Sequence, residues 1–140
     1  MVGITAYGGY VPRRRLPRSV ILENVSWFNG ALKAYSKGER SMCNWDEDAL
    51  TMAVEASRDC LDKARPDDIK AIYLASTTLP FTDRQNSGVL GTALNLGQNM
   101  MTMDITSSQR SATSGLINAL SVAQGTGGSA LFATGEHRRS

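Results

Sequence analysis

The sequence predicts an α/β fold, a three-layer α/β/α arrangement around a mixed, mostly parallel sheet. Three observations carry this expectation. Segments of strand and helix character alternate along the second half of the chain with short connections, the order that builds right-handed βαβ crossovers. The runs at 69–76 (IKAIYLAS) and 129–134 (SALFAT) are rich in apolar and β-forming residues, as strands covered by helices on both faces are. Residues 46–64 place Leu50, Ala53, Val54, Ser57, Cys60, Leu61 and Ala64 at helical spacing, with the small Ser57 allowed on the apolar face.

Taken in order, residues 2–10 contain β-formers interrupted by Gly3, Gly8 and Gly9 and run into Val11-Pro12, which reads as a strand entering a turn. Residues 19–27 follow Pro17 and form a modest helix candidate, with Ser19 as its N-cap. Residues 30–43 are polar and weakly patterned, a loop with a short helix at most. The helix at 46–64 has Asp46, Glu47 and Asp48 loading its first turn and Pro66 stopping it, which complements the positive end of the helix dipole. A strand at 69–76 leads through a loop (77–83) to a helix at 84–96, whose Val89, Leu90, Ala93 and Leu94 face inward and which Gly97 ends. A second strand (101–106), a second apolar helix (111–123), a turn around Gly125 and Gly128, and the strand 129–134 complete the alternation.

Composition excludes several classes of function. The 140 residues are 41% hydrophobic and 20% charged, with a formal net charge of +2, which is ordinary globular composition rather than disorder. A positive excess of only two charges supplies little nonspecific phosphate affinity, so nucleic acid is not an expected partner. Cys43 and Cys60 form neither a disulfide framework nor a C-x-x-C pair, and the single histidine, His137, leaves a histidine metal site or triad without partners. The opening residues are not a signal peptide and no apolar run approaches the roughly 18 residues of a membrane span. The expectation is a cytoplasmic protein with reduced thiols. Charge is nonetheless segregated: Arg13, Arg14, Arg15, Arg18, Lys33, Lys37 and Arg40 crowd the first 40 residues, and eight carboxylates fall between 41 and 70. Either these are solvated faces or the arginine cluster meets a phosphate-bearing cofactor. With no repeat or low-complexity linker, the chain reads as one structural unit.

Chemistry is expected where parallel strands end and feed into helices. One such junction, MDITSSQRSATSGL at 103–116, passes through a hydroxyl-rich turn directly into a helix. A residue there stands at the start of a helix, where free backbone N–H groups and the dipole favour an anion. Ordinary capping by Ser107 or Ser108 explains the same pattern. Cys60, on an apolar helical stripe, reads as a small buried hydrophobe rather than a nucleophile.

Four segments, GITAYGGYVPR, GERSMCNWDEDALTMAVEASRDCL, IYLASTTLPFTDRQNSGVLGTALNL and DITSSQRSATSGLINAL, in this order and spacing resemble the hydroxymethylglutaryl-CoA synthase-like branch of the thiolase-fold superfamily. Ketoacyl synthase III and the thiolases are more distant relatives. The resemblance implies that residues 1–140 are the N-terminal half of a fold made of two similar α/β halves, with the chain stopping before the second, which supplies a histidine. It implies an acyl-CoA substrate, no covalently bound cofactor, a homodimer and, as in some members of the branch, a small partner carrying an OB-fold and zinc ribbon. Aligned on Thr113, the family's nucleophilic cysteine becomes Gln109, followed by Arg110, Ser111 and Ala112. The family's general acid/base glutamate falls in Ser76-Thr77-Thr78, with Thr77 at its position. A threonine cannot do a carboxylate's proton transfer near neutral pH, and His137 lies at the wrong place to be the missing histidine.

What the resemblance leaves is a scaffold for chemistry without an acyl-cysteine. Gln109 is positioned to donate its amide to a thioester carbonyl or enolate, with Ser111 and Thr113 as further substrate contacts. Trp27, Lys37 and Arg40 occupy a region that lines the CoA entrance in ketoacyl synthase III-like relatives, the cations for phosphates and Trp27 for adenine; a surface loop with a packing tryptophan is the competing reading. Three expectations follow: an acyltransferase-like enzyme making or breaking carbon–carbon bonds on a CoA thioester, a non-catalytic acyl-CoA-binding or assembly subunit, or a fragment of either.

Overall fold

The structure, a computed structural model, describes residues 1–63 and 68–137. The expected helix end at Ala64 and Pro66, and the chain terminus at Ser140, lie outside the described residues. The chain forms two compact units, Val11–Glu47 and Met1–Tyr10 with Asp48–Ser140.

In the smaller unit, β1 (Arg14–Pro17) pairs antiparallel with β2 (Glu39–Met42), Arg14 facing Met42 and Pro17 facing Glu39. Neither strand was expected from sequence, because both are almost wholly exposed and carry no apolar alternation. Pro17 ends β1, lacking the N–H a further ladder bond would use. It also occupies the N-cap position of α1 (Arg18–Val25) in place of the expected Ser19, with no side-chain cap. A 3-10 helix at Gly30–Tyr35 follows, its start held by Asn29, whose side chain accepts from the Ala31 amide at 3.0 Å.

The larger unit holds α2 (Ala49–Lys63), β3 (Ile69–Ala75), α3 (Asn86–Ala93), β4 (Met101–Ile105), α4 (Ser111–Thr126) and β5 (Ser129–Thr134). Helix α2 starts later than expected. Asp48 precedes it and exchanges two hydrogen bonds with Thr51, Thr51 N to Asp48 Oδ1 at 2.7 Å and Asp48 N to Thr51 Oγ1 at 2.8 Å. That reciprocal cap satisfies free backbone donors at the helix start. Helix α3 ends at Ala93, before Gly97, and the following turn takes Asn95 to a left-handed φ of 52°.

The sheet runs in the order β4-β3-β5 with both pairs parallel. Period-two alternation divides its side chains between two layers. Ile72 and Leu74 of β3 and Leu131 and Ala133 of β5 pack with Leu50, Ala53 and Leu61 of α2 and Leu90 and Leu94 at α3. Ala71 and Tyr73, with Ala130 and Phe132, pack against Ala119 and Val122 of α4. Helices thus cover both faces. Each fully buried Ile72, Leu74 or Leu90 contributes about 1.5–3 kcal/mol of transfer free energy.

The expected strand at 2–10 does not form; residues 1–12 carry no regular structure. Within it, the segment 1–10 lies against α2 instead. The Gly9 amide donates to Asp59 at 3.0 Å, Lys63 donates to the Tyr7 carbonyl at 3.3 Å, and Gly8 meets the α2 backbone so closely that any Cβ would collide with it. The Lys63 ammonium, by its hydrogen bond, and then the Gly9 amide hold the Asp59 carboxyl below its ordinary value. A groove of about 710 Å³ runs between this segment, α2, α4 and β5.

Candidate functional site

The three parallel strands end side by side, Ala75 opposite Ile105 on one flank and Thr134 on the other. Their exits are laced together: the Ser76 amide donates to the Ile105 carbonyl at 3.0 Å, and the Gly135 amide to the Ala75 carbonyl at 3.3 Å. Three loops leave this edge, at 76–78, 106–110 and 135–137.

The loop at 106–110 is the expected elbow. Ser107 has φ 68°, a left-handed conformation that costs a residue with a side chain about 1–2 kcal/mol, and this turns the chain from β4 into α4. Ser107 therefore bends the backbone and is not a cap. Ser108 braces the turn: its hydroxyl accepts from the Arg110 amide at 3.1 Å and its carbonyl accepts from the Ser111 amide and hydroxyl at 3.0 and 2.6 Å. Arg110 takes the N-cap position of α4 with no side-chain cap, so the expected serine cap does not form. Ser111 is buried and its hydroxyl donates to that carbonyl, whereas Thr113 and Gln109 are exposed. The Gln109 amide makes no hydrogen bond to a described residue, so its donor is available to a ligand.

Thr77 is exposed and is hydrogen-bonded to Glu136. Its amide donates to Glu136 Oε1 at 2.8 Å and its hydroxyl to Oε2 at 2.8 Å, and Thr78 adds a longer bond to Oε2 at 3.4 Å. Thr78 is itself fixed by the Ser76 hydroxyl, which accepts from its amide at 3.0 Å, and by the His137 amide, which donates to its hydroxyl at 2.9 Å. Glu136 was not singled out from sequence. The available signal was a carboxylate two residues past the end of a buried strand, on the edge where parallel sheets place chemistry.

Trp27, Lys37 and Arg40 belong to the smaller unit. Trp27 is 83% exposed and makes an edge-to-face contact with Phe28 at 6.0 Å. Lys37 precedes the turn into β2, and Arg40 lies on β2 opposite Leu16. Both cations are exposed and neither pairs with a carboxylate among the described residues. Cys43 and Cys60 are half-buried and form no disulfide among the described residues. Burial, then the Glu47 charge, pushes the Cys43 thiol up; burial also pushes Cys60 up, with Lys63 opposing. Neither thiol is poised as a thiolate. Among the described residues no group of three or more metal-ligating side chains occurs, and no helix is long and apolar enough to cross a membrane.

No protein-family model matches the chain. Over 124 residues, 85% of this chain, it is 32% identical to a hydroxymethylglutaryl-CoA synthase of Caldivirga maquilingensis. The chain spans about a third of the length of the curated relatives it matches. Among solved structures, it is similar to MvaS in complex with 3-hydroxy-3-methylglutaryl coenzyme A, with a TM-score of 0.81 and 21% identity, covering 99% of this chain and 34% of that one. The β-ketoacyl-[acyl carrier protein] synthase III of Thermus thermophilus is similar over 90% of this chain and 40% of its own, with a TM-score of 0.72 and 18% identity.

Proposed function

As a hydroxymethylglutaryl-CoA synthase-like segment with the thiolase fold, this chain forms, we propose, the part of an acyl-CoA-condensing protein that binds a CoA thioester and stabilises its enolate without an acyl-cysteine. The observation that carries this reading is Gln109 at the β4–α4 elbow, exposed and with an uncommitted amide, where the family motif places its nucleophile. A carboxamide cannot form a thioester, but it can donate to a thioester oxygen as charge develops there. Trp27, Lys37 and Arg40 contact adenine and phosphate of the CoA, and Thr113 stands at the mouth of the elbow. Residues 1–140 make up the N-terminal half of the fold, the second half adds the histidine, and the assembly is a homodimer that also fits a small OB-fold and zinc-ribbon partner.

The test uses the natural polypeptide that contains this sequence. Acetyl-CoA titrated calorimetrically binds, and binding weakens in Trp27→Ala and Arg40→Ala. Consumption of acetoacetyl-CoA in the presence of acetyl-CoA falls about 100-fold or more in Gln109→Ala, the scale of a lost oxyanion donor, with affinity retained. Unchanged turnover in Gln109→Ala rejects its role. The absent thiol and the raised Cys43 and Cys60 favour one alternative, a non-catalytic acyl-CoA-binding subunit, which binds acetyl-CoA with no turnover in any variant.

A further inference from the structure

We propose that Glu136 is the proton-transferring carboxylate of this site, delivered from the end of β5 to the position that Thr77 occupies at the end of β3. The proposal rests on the acyl-CoA reading above and deepens it. Sequence offers no carboxylate at 76–78, yet the fold brings one there from 59 residues away.

Four features distinguish Glu136 from a carboxylate that merely closes a loop. It sits on the C-terminal edge of the parallel sheet, the edge from which the Gln109 elbow also leaves. It is exposed and pairs with no cation among the described residues. Its donors are one amide and two threonine hydroxyls. A hydroxyl both donates and accepts, so Thr77 and Thr78 can turn to accommodate the protonated acid as well as the carboxylate. Its position is fixed by steric necessity. A Cβ on the preceding Gly135 would lie 2.5 Å from the Ala49 carbonyl oxygen, so only glycine lets this turn pack against the start of α2.

The step balances without a further reagent. The Glu136 carboxylate removes a proton from carbon 2 of the bound acyl-CoA. The C–H electron pair moves into the thioester to give an enolate, whose oxygen accepts the Gln109 amide hydrogen bond. Glu136, now a neutral acid, returns the proton either to carbon 2 or to the carbonyl oxygen of the acceptor once the carbon–carbon bond has formed.

Proton exchange isolates this step from bond formation. In D2O, with acetyl-CoA as the probe and the natural polypeptide as catalyst, loss of the methyl proton signal follows the exchange. Wild type exchanges; Glu136→Gln slows exchange about 100-fold or more, on the scale of general acid–base catalysis, and keeps its acetyl-CoA affinity. Glu136→Asp, one methylene shorter with the charge kept, slows it about 10-fold and serves where the glutamine variant misfolds. Exchange at the wild-type rate in a folded Glu136 variant overturns the proposal, as does a wild-type protein that binds acetyl-CoA without exchanging it; in both cases acyl-CoA binding still stands. Absence of acetyl-CoA binding overturns the functional reading and this proposal together.

Discussion

Gly135 and Glu136 show how one backbone requirement places one functional group. The missing side chain at 135 lets the β5 exit pass where a Cβ would lie only 2.5 Å from the Ala49 carbonyl oxygen, and the next residue then reaches Thr77. Gly135→Ala overpacks this contact and destabilises the protein by about 1–3 kcal/mol, the usual cost of forcing an extra carbon into a packed site. Urea denaturation should show the midpoint falling, with acetyl-CoA proton exchange falling alongside it; an unchanged midpoint would mean that the turn relaxes freely. The elbow was legible in the sequence because the strand, the hydroxyl-rich turn and the helix are contiguous, and the family resemblance picked out Gln109 within it. Glu136 was not, because its link to Thr77 depends on the parallel register of β3 and β5, and a single sequence carries no information on which strand lies beside which.

Asp104 joins β4 to the start of α3. Its carboxylate accepts from the amides of Asn86 and Ser87, each at 2.7 Å, and from the Asn86 side chain at 2.9 Å, which satisfies backbone donors left free at a helix start. Burial raises its affinity for a proton, but the side-chain and backbone hydrogen bonds of Asn86 and Ser87 together outweigh burial and hold the carboxyl below its ordinary value. A carboxyl with a depressed folded-state value stabilises above its unfolded value, about 3.9, and the contribution is lost as pH falls through the folded value. Asp104→Asn turns an amide NH2 toward those donors and costs about 1–3 kcal/mol at neutral pH. In urea titrations between pH 7 and pH 3 the gap between wild type and variant should stay constant down to about pH 4 and narrow below it; a gap independent of pH would assign the loss to packing alone. The same contrast governs which elements the sequence disclosed. Helix α2 and strands β3 and β5 were legible because their burial leaves an apolar pattern, whereas β1 and β2 carry mostly polar, exposed side chains and pair through backbone groups that any sequence possesses.

Seen complete, the larger unit has a well-covered centre and open margins. Among the described residues β4 and β5 each pair with no strand but β3, so apart from the Thr102 carbonyl, which accepts from the Gln85 side chain at 3.2 Å, their outer edges offer backbone groups, the usual template for joining another chain. Near the β4 margin the α4-facing side of the sheet leaves Met101 and Met103 51% and 41% exposed, and Ile117 of α4 is 61% exposed; along β5 lies the groove of about 710 Å³ lined by Leu116, Leu120 and the N-terminal segment. Open strand edges combined with exposed apolar side chains mark association surfaces rather than solvent-facing ones. The 140-residue chain on its own should therefore self-associate, and sedimentation velocity across a concentration series should show species larger than a monomer. Met103→Lys places a charge beside the β4 edge, which blocks edge pairing without touching the buried layers. Its sedimentation coefficient should shift toward the monomer while far-UV circular dichroism stays unchanged. A variant that associates as strongly as the parent would move the contact to the β5 side, and a parent chain that is monomeric at every concentration would contradict association through either margin.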